Sequence, residues 1–217
     1  MKNATIARMK QEAILLTGPT GCGKTPLGDH LERHGLADRS CAHFDFGAQL
    51  RKTADQGHEQ ISSADQNFIK EVLTCGALLE KDRLPLAATI FQAFVREKRV
   101  SPDCLLILNG LPRHVEQARF MADLVEVRQV VHLSGSPAVV CHRIQADTGG
   151  DRAGRPDDTL DAIAHKLELY QQRTLPLLDY YRQQGVPVQE YPVSHDSAAP
   201  DMAVSLIRAE WYFNQPA

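Results

Sequence analysis

Gly18, Pro19, Thr20, Gly21, Cys22, Gly23, Lys24 and Thr25 spell G-x-x-x-x-G-K-T between a short apolar run, residues 13–17, and a stretch of helical character. Glycines at this spacing let successive backbone N–H groups turn inward onto phosphate oxygens, and the helix that follows adds the positive end of its dipole. Lys24 is placed to reach the terminal phosphates, and the Thr25 hydroxyl to ligate Mg²⁺. Pro26 suits a first helical turn, where a missing N–H costs little. The motif predicts a phosphate-cradling P-loop that binds ATP, and no N-K-x-D run accompanies it to read a guanine base.

Arginines recur where strands and helices should end: Arg51 after FDFGAQL, Arg113 in NGLPR, Arg143 in CHRI, and Arg152 and Arg155 in a glycine-rich stretch. Moving a phosphoryl group between two anions requires positive charge around both, and forked guanidinium groups suit phosphate oxygens better than ammonium.

The elements that must position these groups alternate along the chain. Candidate strands at 13–17, 42–44, 105–108, 127–133 and 186–191 are separated by amphipathic stretches, which predicts a five-stranded parallel sheet with helices on both faces. Leu160, Ile163, Leu167, Tyr170, Thr174, Leu177 and Tyr181 form an apolar stripe at helical spacing, with Pro176 expected to bend that helix and Gly185 to end it. Residues 147–158, DTGGDRAGRPDD, hold almost nothing apolar and read as a loop. The organisation expected is a single P-loop kinase domain. Its core is at about 11–50, 80–146 and 158–217, with a helical insertion at 51–79 and a short lid at 147–157.

Composition sets outer limits. With 217 residues, 43% hydrophobic and 24% charged, the chain can bury one sizeable core. A net charge of -3 supplies no general field for nucleic acid or an anionic membrane, so neither partner is expected. Five scattered cysteines without a C-x-x-C pair fit a reducing, cytoplasmic address, and the apolar run after Lys10 is too short for a signal peptide or a membrane span. His30 and His34 form H-x-E-x-H, not a zinc motif, and read as a polar helix face; Trp211, Tyr212 and Phe213 read as a docking helix.

Taken in order, GPTGCGKT, HFDFGAQLR, NGLPRHVEQA, Arg143-Ile144, GRPDD and LELYQQRTLPLLDYY resemble the adenylate kinases and related nucleoside monophosphate kinases over about residues 13–191. The resemblance implies that Lys24 contacts the phosphoryl group in flight and that Arg51 and Arg113 hold a monophosphate acceptor whose base Gln117 reads. Gly76 and Leu78 would form the acceptor-pocket wall, with Phe46, Gly47, Gly110 and Lys166 also on the acceptor side. Arg143 and Arg155 would contact donor and transferring phosphates, and Arg152 and Arg155 would belong to a short lid. The implied activity is transfer of the γ-phosphoryl of ATP to a nucleoside monophosphate such as AMP, with Mg²⁺ as cofactor, by a monomer.

The chain also departs from that family. Asn109 stands where the family has an Asp that organises the Mg²⁺ water shell, Thr25 where it commonly has Gly, Phe46 for Thr, Ala48 for Asp, Lys166 for Arg and Asp147 for Arg. Asp45 is a further candidate oxygen near the metal, and Arg152 a candidate substitute for the arginine missing at 147. Two other readings stay open: a small-metabolite kinase of the shikimate or gluconate type, and an ATP-binding sensor that has lost turnover.

Overall fold

The computed structural model describes residues 10–151 and 159–209, so Arg152, Arg155 and the triplet Trp211, Tyr212 and Phe213 lie outside the described residues. Among the described residues five strands form one sheet: β1 (Gln11–Thr17), β2 (Cys41–Asp45), β3 (Leu105–Asn109), β4 (Val125–Ser134) and β5 (Val188–Pro192). All pairings are parallel, in the order β2-β3-β1-β4-β5. Each of the five predicted runs falls on a strand; β1 and β3, central in the sheet, are apolar nearly throughout because both faces are covered, whereas the edge strand β5 (VQEYP) is only half-buried.

Alternation along the strands divides the core in two. Ala13 and Leu15 face one side with Phe44, Leu106 and Leu108, where they meet α2 (Phe46–Gln56), α3 (Ser63–Cys75), α4 (Leu84–Glu97), α5 (Val115–Met121) and α8 (Pro176–Gln183). Ile14 and Leu16 face the other with Ile107, Val131 and Leu133, against α1 (Lys24–His34), α6 (Pro137–Gln145), α7 (Leu160–Leu169) and α9 (Ala199–Ala209). This is the α/β architecture expected of a P-loop NTPase. The chain leaves β1 for α1 on one face and β3 for α5 on the other, so a crevice opens between the carboxyl ends of β1 and β3.

Helix starts are written locally. The Asp45, Ser62, Ser136 and Thr159 side chains each accept a hydrogen bond from the backbone N–H three residues on, capping α2, α3, α6 and α7. Because Asp45 caps it, α2 begins at Phe46, five residues before the helical segment read from the sequence. Phe46 is buried and sits 5.9 Å from the Phe44 ring, which also meets Phe91 and Phe94 edge-on at 5.2 and 5.1 Å. The apolar stripe 160–181 is one nearly continuous helical run, but the adjustment to Pro176 comes earlier than a bend at the proline. Tyr170–Thr174 forms a wider turn between α7 and α8, with the Leu175 N–H donating to the Tyr170 carbonyl at 2.8 Å.

That turn presents Tyr170 to β4, where its hydroxyl lies 2.5 Å from His132 Nε2. Burial pushes the His132 pKa down and the Tyr170 pKa up, so the tyrosine donates to a neutral imidazole. The sign follows from proton counts: below a pH of about 6.5 the unfolded chain protonates this histidine while the folded one does not, so stability falls with falling pH. His132→Gln should flatten the acid limb of urea-derived stability between about pH 5 and 6.5, relative to the unsubstituted protein.

Candidate active site

A cleft runs along the carboxyl ends of β1, β2 and β3. On its donor side are Gly18, Thr20, Gly21, Gly23, Lys24 and Thr25, the turn between β1 and α1. Gly18 has φ +148, and a Cβ there would lie 2.3 Å from the Leu133 carbonyl oxygen, so the loop packs onto β4 only without a side chain. Lys24 Nζ donates to the carbonyls of Gly18 at 2.8 Å and Pro19 at 2.6 Å, holding the ammonium over the loop. Cys22 is fully buried beneath it and points away from the cleft.

The acceptor side is built from α2, the end of α3 and the loop after β3. Phe46, Gly47, Arg51, Gly76, Leu78, Gly110, Arg113 and Gln117 all line the cleft, as the sequence reading requires. Phe46 does so only at an edge, because its ring belongs to the core. Among the described residues no carboxylate pairs with the guanidinium of Arg51 or Arg113. Burial pushes the Arg113 pKa down, yet a guanidinium stays charged at any working pH. An unpaired cation in such a wall is costly until an anion arrives, so this side is prepared for phosphate.

Gln117 is placed differently from its expected role. Its Oε1 accepts from the Arg113 backbone N–H at 2.7 Å and its Nε2 donates to the Leu79 carbonyl at 2.9 Å. The side chain ties two loops together and keeps one lone pair and one N–H for a ligand. His114, the N-cap of α5, has its Nε2 3.2 Å from the same carbonyl.

Where β2 and β3 end, four polar side chains converge. Asp45 and Asn109 are register partners in the parallel ladder. Asp45 Oδ1 accepts from the Ala48 N–H at 2.9 Å, while Oδ2 accepts from Thr25 Oγ1 at 2.7 Å and from Asn109 Nδ2 at 3.1 Å. Asn109 Nδ2 also donates to Thr25 Oγ1 at 3.0 Å and lies 3.5 Å from His43 Nε2. His43 is buried and its Nδ1 pairs with Asp29 at 2.8 Å. Its ring fills space left by Gly28 of α1, where a Cβ would lie 2.3 Å from it. Thr25 and Asp45 turn oxygens into this corner, donors that suit a hard cation, while Asn109 faces them with its Nδ2 and carries its oxygen on the other side of the amide. Among the described residues no group of three or more His, Cys, Asp or Glu side chains forms a metal cage, which suits Mg²⁺, held by few protein oxygens and by substrate phosphates.

Arg143 departs most from its expected place. Its Nε donates to the Gly21 carbonyl at 3.1 Å, and its Nη1 to those of Ser194, His195 and Ser197 at 2.9, 3.0 and 3.0 Å. The guanidinium is buried behind the phosphate loop and is not among the described residues lining the cleft. In this geometry its Nε and Nη1 brace the loop against the segment after β5, while Nη2 lies beside Gly23, 3.3 Å from where a Cβ would stand. Lys166 lines the cleft, beside Tyr170, Thr174 and Thr17, three residues not singled out for the site beforehand.

No family model matches the chain. Among curated proteins it is similar to an adenylate kinase of Mycobacterium tuberculosis, 30% identical over 179 residues that cover 79% of this chain and 86% of that protein. An adenylate kinase of a Synechococcus species is 31% identical over 185 residues, 82% of this chain and 88% of that protein. One from Parvibaculum lavamentivorans is 28% identical over 181 residues, covering 79% and 80%.

Proposed function

The chain belongs to the adenylate kinase family, and from that premise we propose that it transfers the γ-phosphoryl group of ATP, with Mg²⁺ as cofactor, to a nucleoside monophosphate. The observation that carries the reading is the meeting in one cleft of a complete phosphate loop with Arg51 and Arg113, two guanidinium groups without acid partners among the described residues. A donor phosphate on the loop and an acceptor phosphate on the arginines would face each other for direct in-line transfer, with no covalent intermediate on the protein.

Each group then has a task. Backbone N–H groups of the loop hold the donor phosphates, and Lys24 turns from the Gly18 and Pro19 carbonyls onto the charge that develops in transfer. Arg51 and Arg113 orient and neutralise the acceptor phosphate. Lys166 adds charge from the opposite wall. Mg²⁺, when bound, neutralises the donor phosphates, and Thr25 with Asp45 and Asn109 would hold it. Arg152 and Arg155, with the short lid at 147–157, would close over the substrates together with the helical pair of the insertion and exclude water.

An acceptor that carries phosphate explains why two guanidinium groups line the acceptor side, which a neutral sugar acceptor would not need. Five cysteines with no disulfide among them support a reducing, cytoplasmic address, and in this reading the protein acts as a monomer.

Phosphorus NMR of the protein with Mg²⁺, ATP and AMP tests the reading. The γ resonance of ATP should decay as diphosphate resonances grow, without inorganic phosphate. Release of inorganic phosphate alone, or no change, would contradict it.

A further inference from the structure

We propose that the carboxylate serving Mg²⁺ in this protein is Asp45, at the end of β2, and that Asn109 is neutral because Asp45 already carries the charge. The inference rests on the phosphotransfer reading only in taking Mg²⁺·ATP as donor. Asp45 Oδ2 receives both the Thr25 hydroxyl at 2.7 Å and the Asn109 amide at 3.1 Å. An Asp at 109 would replace that amide by a second carboxylate with anionic oxygens about 3 Å apart, a repulsive arrangement without a metal. Asn converts the same contact into a hydrogen bond. The single negative charge at this corner thus stands at the end of β2, opposite the neutral Asn109 that is its register partner on β3.

The remaining contacts fix that arrangement. Thr25 donates its proton to Asp45 and accepts from the Asn109 amide, which leaves one lone pair of its oxygen for a cation. Asn109 turns its Nδ2 toward Thr25, Asp45 and His43, and its Oδ1 is left on the other side of the amide. The buried His43, held by Asp29, closes the rear of the group and is a positioning residue for Asn109. Asp45 Oδ1 meanwhile caps α2, the helix that carries Arg51. One side chain thus touches both the metal corner and the acceptor helix, so Mg²⁺ and acceptor binding should be linked through it.

The test measures ATP binding by calorimetry, without acceptor, in EDTA and in Mg²⁺, on the full chain. Asp45→Asn keeps a residue that caps helices equally well. It should lose about tenfold or more of the Mg²⁺-promoted gain in ATP affinity, while affinity in EDTA is unchanged or higher. The exchanged pair Asp45→Asn with Asn109→Asp should regain most of that gain. Wild-type Mg²⁺ dependence in Asp45→Asn, or no recovery in the exchanged pair, would overturn the proposal.

Asn109→Asp alone gives a second readout that does not need the Asp45 variant to fold. Its melting temperature should fall in EDTA and be recovered by Mg²⁺ or Mn²⁺ without nucleotide, and Mn²⁺ paramagnetic resonance should report bound ion. A melting temperature that neither falls in EDTA nor responds to either ion would contradict the charge at 45. Because no acceptor enters these measurements, they can fail or succeed independently of the monophosphate-kinase reading.

Discussion

Lys24→Ala should lower the rate of phosphoryl transfer by about 10²- to 10³-fold while leaving the fold in place. The ammonium is held over the phosphate loop, poised on the Gly18 and Pro19 carbonyls at 2.8 and 2.6 Å. It needs only to turn from these carbonyls to meet the charge that builds on the transferred group, so its removal is felt mainly in the transition state. The two carbonyls it leaves are near solvent at the cleft, so the loss of stability should be about 1 kcal/mol. Steady-state kinetics and a melting curve on the same preparation check this: kcat should fall far more than KM for ATP rises, with a transition close to that of the unsubstituted protein. Unaltered turnover would remove Lys24 from the mechanism.

The second large effect belongs to Arg113. Arg113→Met should raise KM for the monophosphate by about 100-fold, equivalent to about 3 kcal/mol, with little change in KM for ATP. Stability should move the other way. Burial already pushes the Arg113 pKa down, and no carboxylate among the described residues compensates the charge. Replacing it by an apolar side chain of similar length removes an uncompensated cation, so the melting temperature should be equal or higher. Added monophosphate should raise the melting temperature of the unsubstituted protein and not that of the variant. A variant that melts much lower would show that Arg113 is a structural brace and not an acceptor site.

These two residues were legible in the sequence because their motifs are local: GPTGCGKT and NGLPR each set backbone and side chain within a few positions. The central strands β1 and β3 were legible for a similar reason, since a doubly covered parallel strand is a nearly uninterrupted apolar run, while the half-buried edge strand β5 shows only a short alternation. Asp45 was harder to read. Its weight comes from lying opposite Asn109 in the β2–β3 ladder and within reach of Thr25, a meeting that depends on sheet order and register. The Arg143 position in its helix could be read, but the carbonyls at 194–197 that take up its guanidinium lie beyond a whole strand. Gln117 was read as the residue that meets the acceptor base, and its bonds to the backbone groups of Arg113 and Leu79 could not be read, because those groups meet only in the fold. The turn before Pro176 shows the same limit: the proline predicts disruption, and packing decides that the chain absorbs it as a wider turn at Tyr170–Thr174.

The most direct measurement is ADP formation from Mg²⁺·ATP in a coupled assay, with AMP, CMP, UMP, GMP and dTMP offered separately beside a control without acceptor. A rate far above the control with at least one monophosphate, and collapse of that rate in Lys24→Ala and Arg113→Met, is the expected result. Rates equal to the control with all five, from protein that binds ATP by calorimetry, would contradict the assignment of this cleft to monophosphate phosphorylation.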